Sequence, residues 1–292
     1  MGTVSSSHGG RRVHRQAAVF STVLLFREAL YGALVIALAC SVLGVYVVLR
    51  RIVFVGAALA QISSAGIALA LWLAGAGVAL GPITHPTVMS LLLTIIAVMF
   101  FASGARGRIP PDATIGVTYA VAAALGILLI AKAASGEAHD IFLSGNILGI
   151  TRGDTLVLLA VAVPVLVLHL IFYKELLFVS FDRETARTLG YNVRWWDLLL
   201  YLTLGIVIAS AMQFAGVMLV FNFLVLPAVT GLMLSHTMRG MFFWSVASAL
   251  AAAFVGFSLS VPFDLPSGPA ISAASGAFVM LAWFGRRLAA RR

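Results

Sequence analysis

The chain has 292 residues, 62% of them hydrophobic and only 10% charged, with a formal net charge of +9. A soluble domain carries about 25% charged residues, so the composition excludes an ordinary water-soluble protein and points to an all-α, polytopic membrane bundle. The one cysteine, Cys40, lies in an apolar run, which excludes an intrachain disulfide framework and a cysteine-rich metal centre.

At roughly 20 apolar residues per crossing, the apolar runs divide into about eight or nine spans of the lipid bilayer. Residues 1–16 are polar, with Arg11, Arg12 and Arg15 among Ser, Gly and His, and read as a disordered tail. Residues 17–26 are apolar but too short to cross, and Arg27 and Glu28 interrupt them. Residues 1–28 are therefore set apart as a tail with a short interfacial segment, and 29–292 as the membrane domain. The basic N-region is followed by no small-residue cleavage site, so no cleavable signal peptide is expected. Spans are expected at 29–49 and 52–74, separated by Arg50 and Arg51, with the turn-rich loop GAGVALGPITHP after them. Spans at 87–102 and 113–131 flank GARGRIPPD, where Pro110 and Pro111 form a hard stop. Residues 141–150, IFLSGNILGI, are short and broken by Gly145 and Asn146, and read as a re-entrant or interfacial piece. The next span, 155–172, carries Pro164, a kink signal.

The longest polar interruption in the rest of the chain follows: FDRETARTLGYNVRWWD, residues 181–197. Asp182 is placed to cap a short helix, Glu184 falls in its first turn, and Gly190 stops it. Such a helix at a membrane surface suits docking to a soluble partner; a solvated connector between spans is the plainer reading. Beyond it, spans are expected at 198–212, 216–234 (containing Pro227), 241–261 and 270–284.

The basic residues give an orientation. If 181–197 is cytoplasmic and the spans alternate, that side holds Arg50, Arg51, Arg106, Arg108, Lys174, Arg183, Arg187, Arg194, Arg239 and the C-terminal arginines. The outer loops hold Lys132 and Arg152, and the N-terminal arginines are the one conflict. The asymmetry predicts a multi-pass protein of the inner (plasma) membrane with a cytoplasmic C-terminus.

Every acidic residue falls in a loop or at a span end, whereas proton- or sodium-coupled transporters usually bury an ionisable group at mid-membrane. Neither lysine belongs to a G-x-x-x-x-G-K phosphate loop, so this chain is not expected to hydrolyse ATP, and no catalytic residue or cofactor is assigned to it. Ser144 and His139 form the one serine–histidine pairing, and both lie near the surface. No interleaving of aromatic and basic residues suggests nucleic acid. The outer face, with His85, Glu137, His139, Asp140 and Asp264, would attract cations or dock a binding protein, or is simply solvated. Polar groups inside spans are few: Gln61, Ser63, Ser64, His169, Gln213 and Asn222. Most such groups hold helices together. Gln61 and Asn222, with Ser64, are the pathway-lining candidates, because small residues after Ser64 and Pro227 after Asn222 permit close approach and local unwinding.

Five blocks, GVYVVLRRIVFVGAALA, SGNILGITRGD, FVSFDRETARTLGYNVRWWDLLL, AGVMLVFNFLVLPAVTG and DLPSGPA, resemble the ABC-3 family in order and spacing, from about Phe26 onward. These are the permeases of zinc, manganese and iron ABC importers. The resemblance implies a type II importer permease fold and a divalent metal as cargo. It also implies a second copy of the chain, two cytoplasmic ABC ATPase subunits and an extracytoplasmic substrate-binding protein. It makes 181–190 the ATPase-coupling helix, with Phe181 as anchor, Asp182, Glu184 and Arg187 polar, and Gly190 at its end. One departure stands out. The family's G-D-A-L-S-H block here reads Gly56-Ala57-Ala58-Leu59-Ala60-Gln61, so Ala57 and Gln61 occupy the ligand positions. Ala65 replaces a proline before Gly66, and Asn222 replaces a small apolar residue. A carboxamide binds zinc or manganese less well than carboxylate and imidazole. The expected metal ligands therefore do not carry over, which leaves a weakly held metal, a metal chelate or other small cargo, or ligands from a partner.

Overall fold

The computed structural model describes residues 26–78, 81–103, 110–132, 147–263 and 265–289. The polar tail, Arg106, Arg108, Glu137, His139, Asp140, Ser144, Asp264 and the last arginines fall outside the described residues, as do residues 141–146 of the expected re-entrant piece. Ile147–Gly149 form a single 3₁₀ turn.

Ten α-helices make up the described chain: α1 Arg27–Leu49, α2 Val53–Gly75, α3 Pro86–Ser103, α4 Pro111–Lys132, α5 Arg152–Ile171, α6 Tyr173–Phe181, α7 Arg183–Thr188, α8 Val193–Leu234, α9 Met238–Ser260 and α10 Ser267–Ala289. Seven are long and apolar enough to cross a membrane, and Pro86–Ala102 is a shorter apolar helix. The count falls below the expected eight or nine because 198–212 and 216–234 join into one 42-residue element, and because the helix at 86–102 is short. The first helix begins at Arg27, so Arg27 and Glu28 form its first turn instead of preceding it.

α8 cannot be straight. Its Asp197 pairs with Arg50 at the end of α1, while the carbonyl of Leu224 seats on Gly44 of the same helix. Arg50 and Gly44 are separated by about 9 Å of helix rise, whereas a straight helix would hold Asp197 and Leu224 about 40 Å apart. The reversal is at Gly216, whose φ of 71° and ψ of 167° lie in a region that only glycine enters freely. α8 thus climbs from Val193, turns at Gly216 and returns, so both limbs lie on α1.

α1 and α2 are buried along most of their length, and α4, α5 and α10 present most of their side chains outward, including Val117, Leu128, Leu170 and Met280. Apolar side chains facing outward are what a bundle in hydrocarbon requires, provided the backbone is satisfied within helices. Polar side chains tie the buried faces together. Ser63 and Ser90 hydroxyls pair at 2.7 Å, Thr87 donates to Gln213 Oε1 at 2.8 Å, and Ser245 donates to the Ser41 carbonyl at 3.1 Å.

Candidate functional site

The short helix α7 is fixed at both ends by local chemistry. Asp182 accepts the Thr185 amide on Oδ1 at 2.9 Å and the Thr185 hydroxyl on Oδ2 at 2.6 Å. Those bonds hold the Asp182 carboxyl below the usual carboxylate range. At the other end Gly190 takes a φ of 87°, its amide donates to the Arg187 carbonyl, and the Tyr191 amide donates to the Ala186 carbonyl. That is a Schellman ending. Ala186 is buried in a small apolar cluster with Val179 and Val193, so α7 stands on one methyl group. Everything else on it faces out, including Glu184 and Arg187, and Phe181 (61% exposed) and Leu189 (65%) flank it.

An ionic clamp joins this helix to the bundle. Arg183 of α7 pairs with Asp197 at the foot of α8, and the second Asp197 oxygen accepts from Arg50 Nη1 at 2.5 Å. Arg50 Nε also donates to the Ser180 hydroxyl at 2.8 Å. The Arg50 side chain is 2% exposed and Asp197 13%, against 49% for Arg183. Burial pulls the Arg50 guanidinium below its usual range, and the Asp197 carboxylate works against that pull. Three elements, α1, α7 and α8, therefore meet at one carboxylate. Sequence reasoning missed Arg50, Ser180 and Asp197 as a unit. The available signal was two opposite charges, each abutting a span on the same expected side.

The pathway candidates are arranged differently. Ala57, Gln61 and Ser64 lie at i, i+4 and i+7 of α2 and share one stripe. Ala57 and Ser64 are buried, and Gln61 is half-buried. Asn222, also half-buried, is in the returning limb of α8, two residues before Leu224, whose side chain seats on Gly56. The stripe and Asn222 are thus on directly packed helices, but no hydrogen bond joins Gln61 to Asn222 among the described residues. Nor is there a group of three His, Cys, Asp or Glu among those residues that could hold a metal ion. Gln213 and His169 are engaged within the bundle: Gln213 accepts from Thr87, and the His169 ring Nδ1 meets the Val165 carbonyl at 2.9 Å.

The model of the family described as "ABC 3 transport family" matches residues 23–285. This chain belongs to the ABC 3 transport family. Among its relatives is the manganese transport system membrane protein MntC of Halalkalibacterium halodurans, 29% identical over 260 residues that cover 88% of this chain and 86% of that protein. The manganese import system permease protein ScaB of Streptococcus gordonii is 30% identical over 258 residues, covering 88% and 90%. Among solved structures, PsaBC from Streptococcus pneumoniae in complex with Fab superposes with a TM-score of 0.80 at 26% identity, over 91% of this chain and 95% of that one. The ABC 3 family chain is accordingly a multi-pass membrane permease.

Proposed function

We propose that this chain is the membrane-spanning subunit of an importer for a divalent transition metal, manganese first, driven by separate ATPase subunits that seat on α7. The observation that carries the reading is α7 itself. It is capped at both ends, exposed on every face except Ala186, and joined through one carboxylate to α1 and α8. A rigid projecting element with buried connections is what transmits a partner's motion into a bundle. The end carrying α7 also holds Arg50, Arg51, Lys174, Arg187, Arg194, Arg239, Arg286 and Arg287, which favours that end as cytoplasmic, together with the C-terminus. Two copies of the chain would frame the pathway, and a substrate-binding protein would deliver cargo at the opposite face.

Manganese rests on two supports. MntC and ScaB, the two relatives described above, are named as manganese transport proteins, and another relative, from Haemophilus influenzae, is named as a probable iron transport system membrane protein. The polar atoms at Gln61, Ser64 and Asn222 include uncharged oxygens, and hard oxygen donors suit Mn²⁺ better than they suit softer metals. Such donors hold an ion weakly, which suits passage rather than storage. The second reading, a metal chelate as cargo, is favoured by Ala57 and Gln61 in the positions where the resemblance expects ligands.

The test is uptake by the complex with its ATPase in proteoliposomes, offered free Mn²⁺ or a chelate. Mn²⁺ should accumulate in an ATP-dependent manner. Glu184→Ala with Arg187→Ala should abolish uptake while leaving insertion and ATP hydrolysis intact. Undiminished uptake by that variant would remove α7 from the mechanism, and uptake of the chelate alone would select the second reading.

A further inference from the structure

A groove of about 860 Å³ runs along the bundle where α1, α5 and α9 meet, within the size range of ligand sites. Leu38, Val42 and Tyr46 of α1 form its floor, one residue per turn over about 12 Å of helix rise. Leu166 and Tyr173 stand on one side, Phe242 and Val246 on the other. The lining is apolar, with His169 turned to Val165 and Thr203 within its own packing. Leu170 and Phe243 on the rims are exposed, so the groove opens sideways, into what is hydrocarbon for a membrane bundle.

The groove is not uniform along its length. At the α7 end it reaches Arg239, which is exposed and makes no ion pair among the described residues. Tyr46 and Tyr173 both make edge contacts with Phe242 there, at 5.3 and 5.5 Å, and the exposed Trp244 makes an edge contact with Phe243 on the rim at 5.6 Å. Aromatic rings clustered at one end of a span mark the level of the lipid headgroups. A channel that is greasy inside the bilayer and cationic at headgroup depth has the polarity of a phospholipid.

We propose that this groove binds a single anionic phospholipid, one acyl chain along the Leu38–Tyr46 stripe and the phosphate against Arg239. Basic pockets between membrane helices take anionic headgroups in this way. The anionic class follows from the uncompensated Arg239, with Lys174 next to Tyr173 in the chain. A second copy of the chain is a poorer occupant, because it would have to bring a carboxylate to Arg239. At this end Asp182 is already bonded to Thr185, and Asp197 to two arginines; Glu175 is half-buried, and Glu184 is exposed on α7, the helix read above as the seat of the ATPase.

The experiment is native mass spectrometry of the purified full-length chain, titrated with phosphatidylglycerol or phosphatidylcholine of identical acyl chains. Phosphatidylglycerol should be retained about fivefold better, the effect of one interfacial cation on an anionic lipid. Arg239→Gln, a surface change, should lower it to the phosphatidylcholine level. Val246→Trp, which fills the groove, should lower retention of both lipids. Equal retention of the two lipids by the unmodified chain, or a preference that survives Arg239→Gln, overturns the proposal. So does a disulfide between copies of a Val246→Cys variant in a bilayer, which would name a second copy as the occupant.

Discussion

At the α7 end Asp182, Arg183 and Asp197 each have a bonded partner, and the connections run into buried structure. Arg50 is anchored to both Asp197 and Ser180, and only its Nη2 lacks a protein partner among the described residues. In the stripe formed by Ala57, Gln61 and Ser64, with Asn222 on the facing limb, no group is charged and Gln61 and Asn222 are not joined. The contrast has a physical logic. A lever transmits displacement only if its joints are stiff, and α7 reaches through Arg183 a carboxylate that the buried Arg50 holds in place. A path must release what it binds, and neutral oxygens do that more readily than a closed set of charged ligands.

The sharpest way to break the stiff side is Asp197→Ala. It leaves a guanidinium whose side chain is 2% exposed without its carboxylate, and removing one partner of a buried pair costs about 3–5 kcal/mol. The purified chain should melt well below the parent. Arg183→Gln, on a side chain 49% exposed, should cost at most about 1 kcal/mol. The paired change Arg50→Met with Asp197→Leu separates stability from coupling. Apolar replacement of a buried pair is often neutral for stability, so this variant should fold but transport poorly. Full transport by it would make the clamp a packing device only.

Gly216 lies between the two regions, since the limb before it carries Asp197 near its foot and the limb after it carries Asn222. Gly216→Ala forces a side chain into a glycine-only conformation and should cost about 1–3 kcal/mol. If melting is unchanged, the turn has another geometry open to it, and the two limbs are less firmly coupled than their shared contacts on α1 suggest.

The opposite side is sharpened by adding ligands. Ala57→Asp with Gln61→His puts a carboxylate and an imidazole one turn apart on one face. Apparent Mn²⁺ affinity should rise about tenfold, roughly 1.4 kcal/mol, read by titration calorimetry on the purified complex. An unchanged affinity would mean that the stripe does not face the path.

These regions also differ in how far the sequence discloses them. The limits of α7 are legible because Asp182 and Gly190 act on their immediate neighbours. Long apolar runs give most spans within a few residues. The break between 198–212 and 216–234 is also visible, but not that the chain stays helical on both sides of a single glycine. The Arg50–Asp197 pair joins positions 147 residues apart, and no local pattern sets that register. Ala57 draws notice through the family resemblance alone, since an alanine in an apolar helix is otherwise silent, whereas Gln61 stands out as a polar group within a span. The groove ending at Arg239 is likewise invisible in one dimension, because a gap among three helices belongs to none of their sequences.

The smallest expected effect tests whether the lever's order is set by its own cap or by packing. Hydrogen bonds from Thr185 depress the Asp182 carboxyl, so the cap's contribution is complete above the ordinary aspartate value of about 3.9 and is lost as pH falls through the lower folded value. Amide exchange at Thr185, corrected for intrinsic rate, should therefore lose protection only on acidification below about pH 4. Asp182→Asn keeps an acceptor without a titrating proton, so its protection should stay flat across that window. Asp182→Ala should exchange fast at every pH. If the alanine variant is as protected as the parent, Ala186 and the Schellman ending suffice to hold α7. Its stiffness would then belong to the same packing that holds the bundle, and the two regions would differ in charge but not in how they are kept in place.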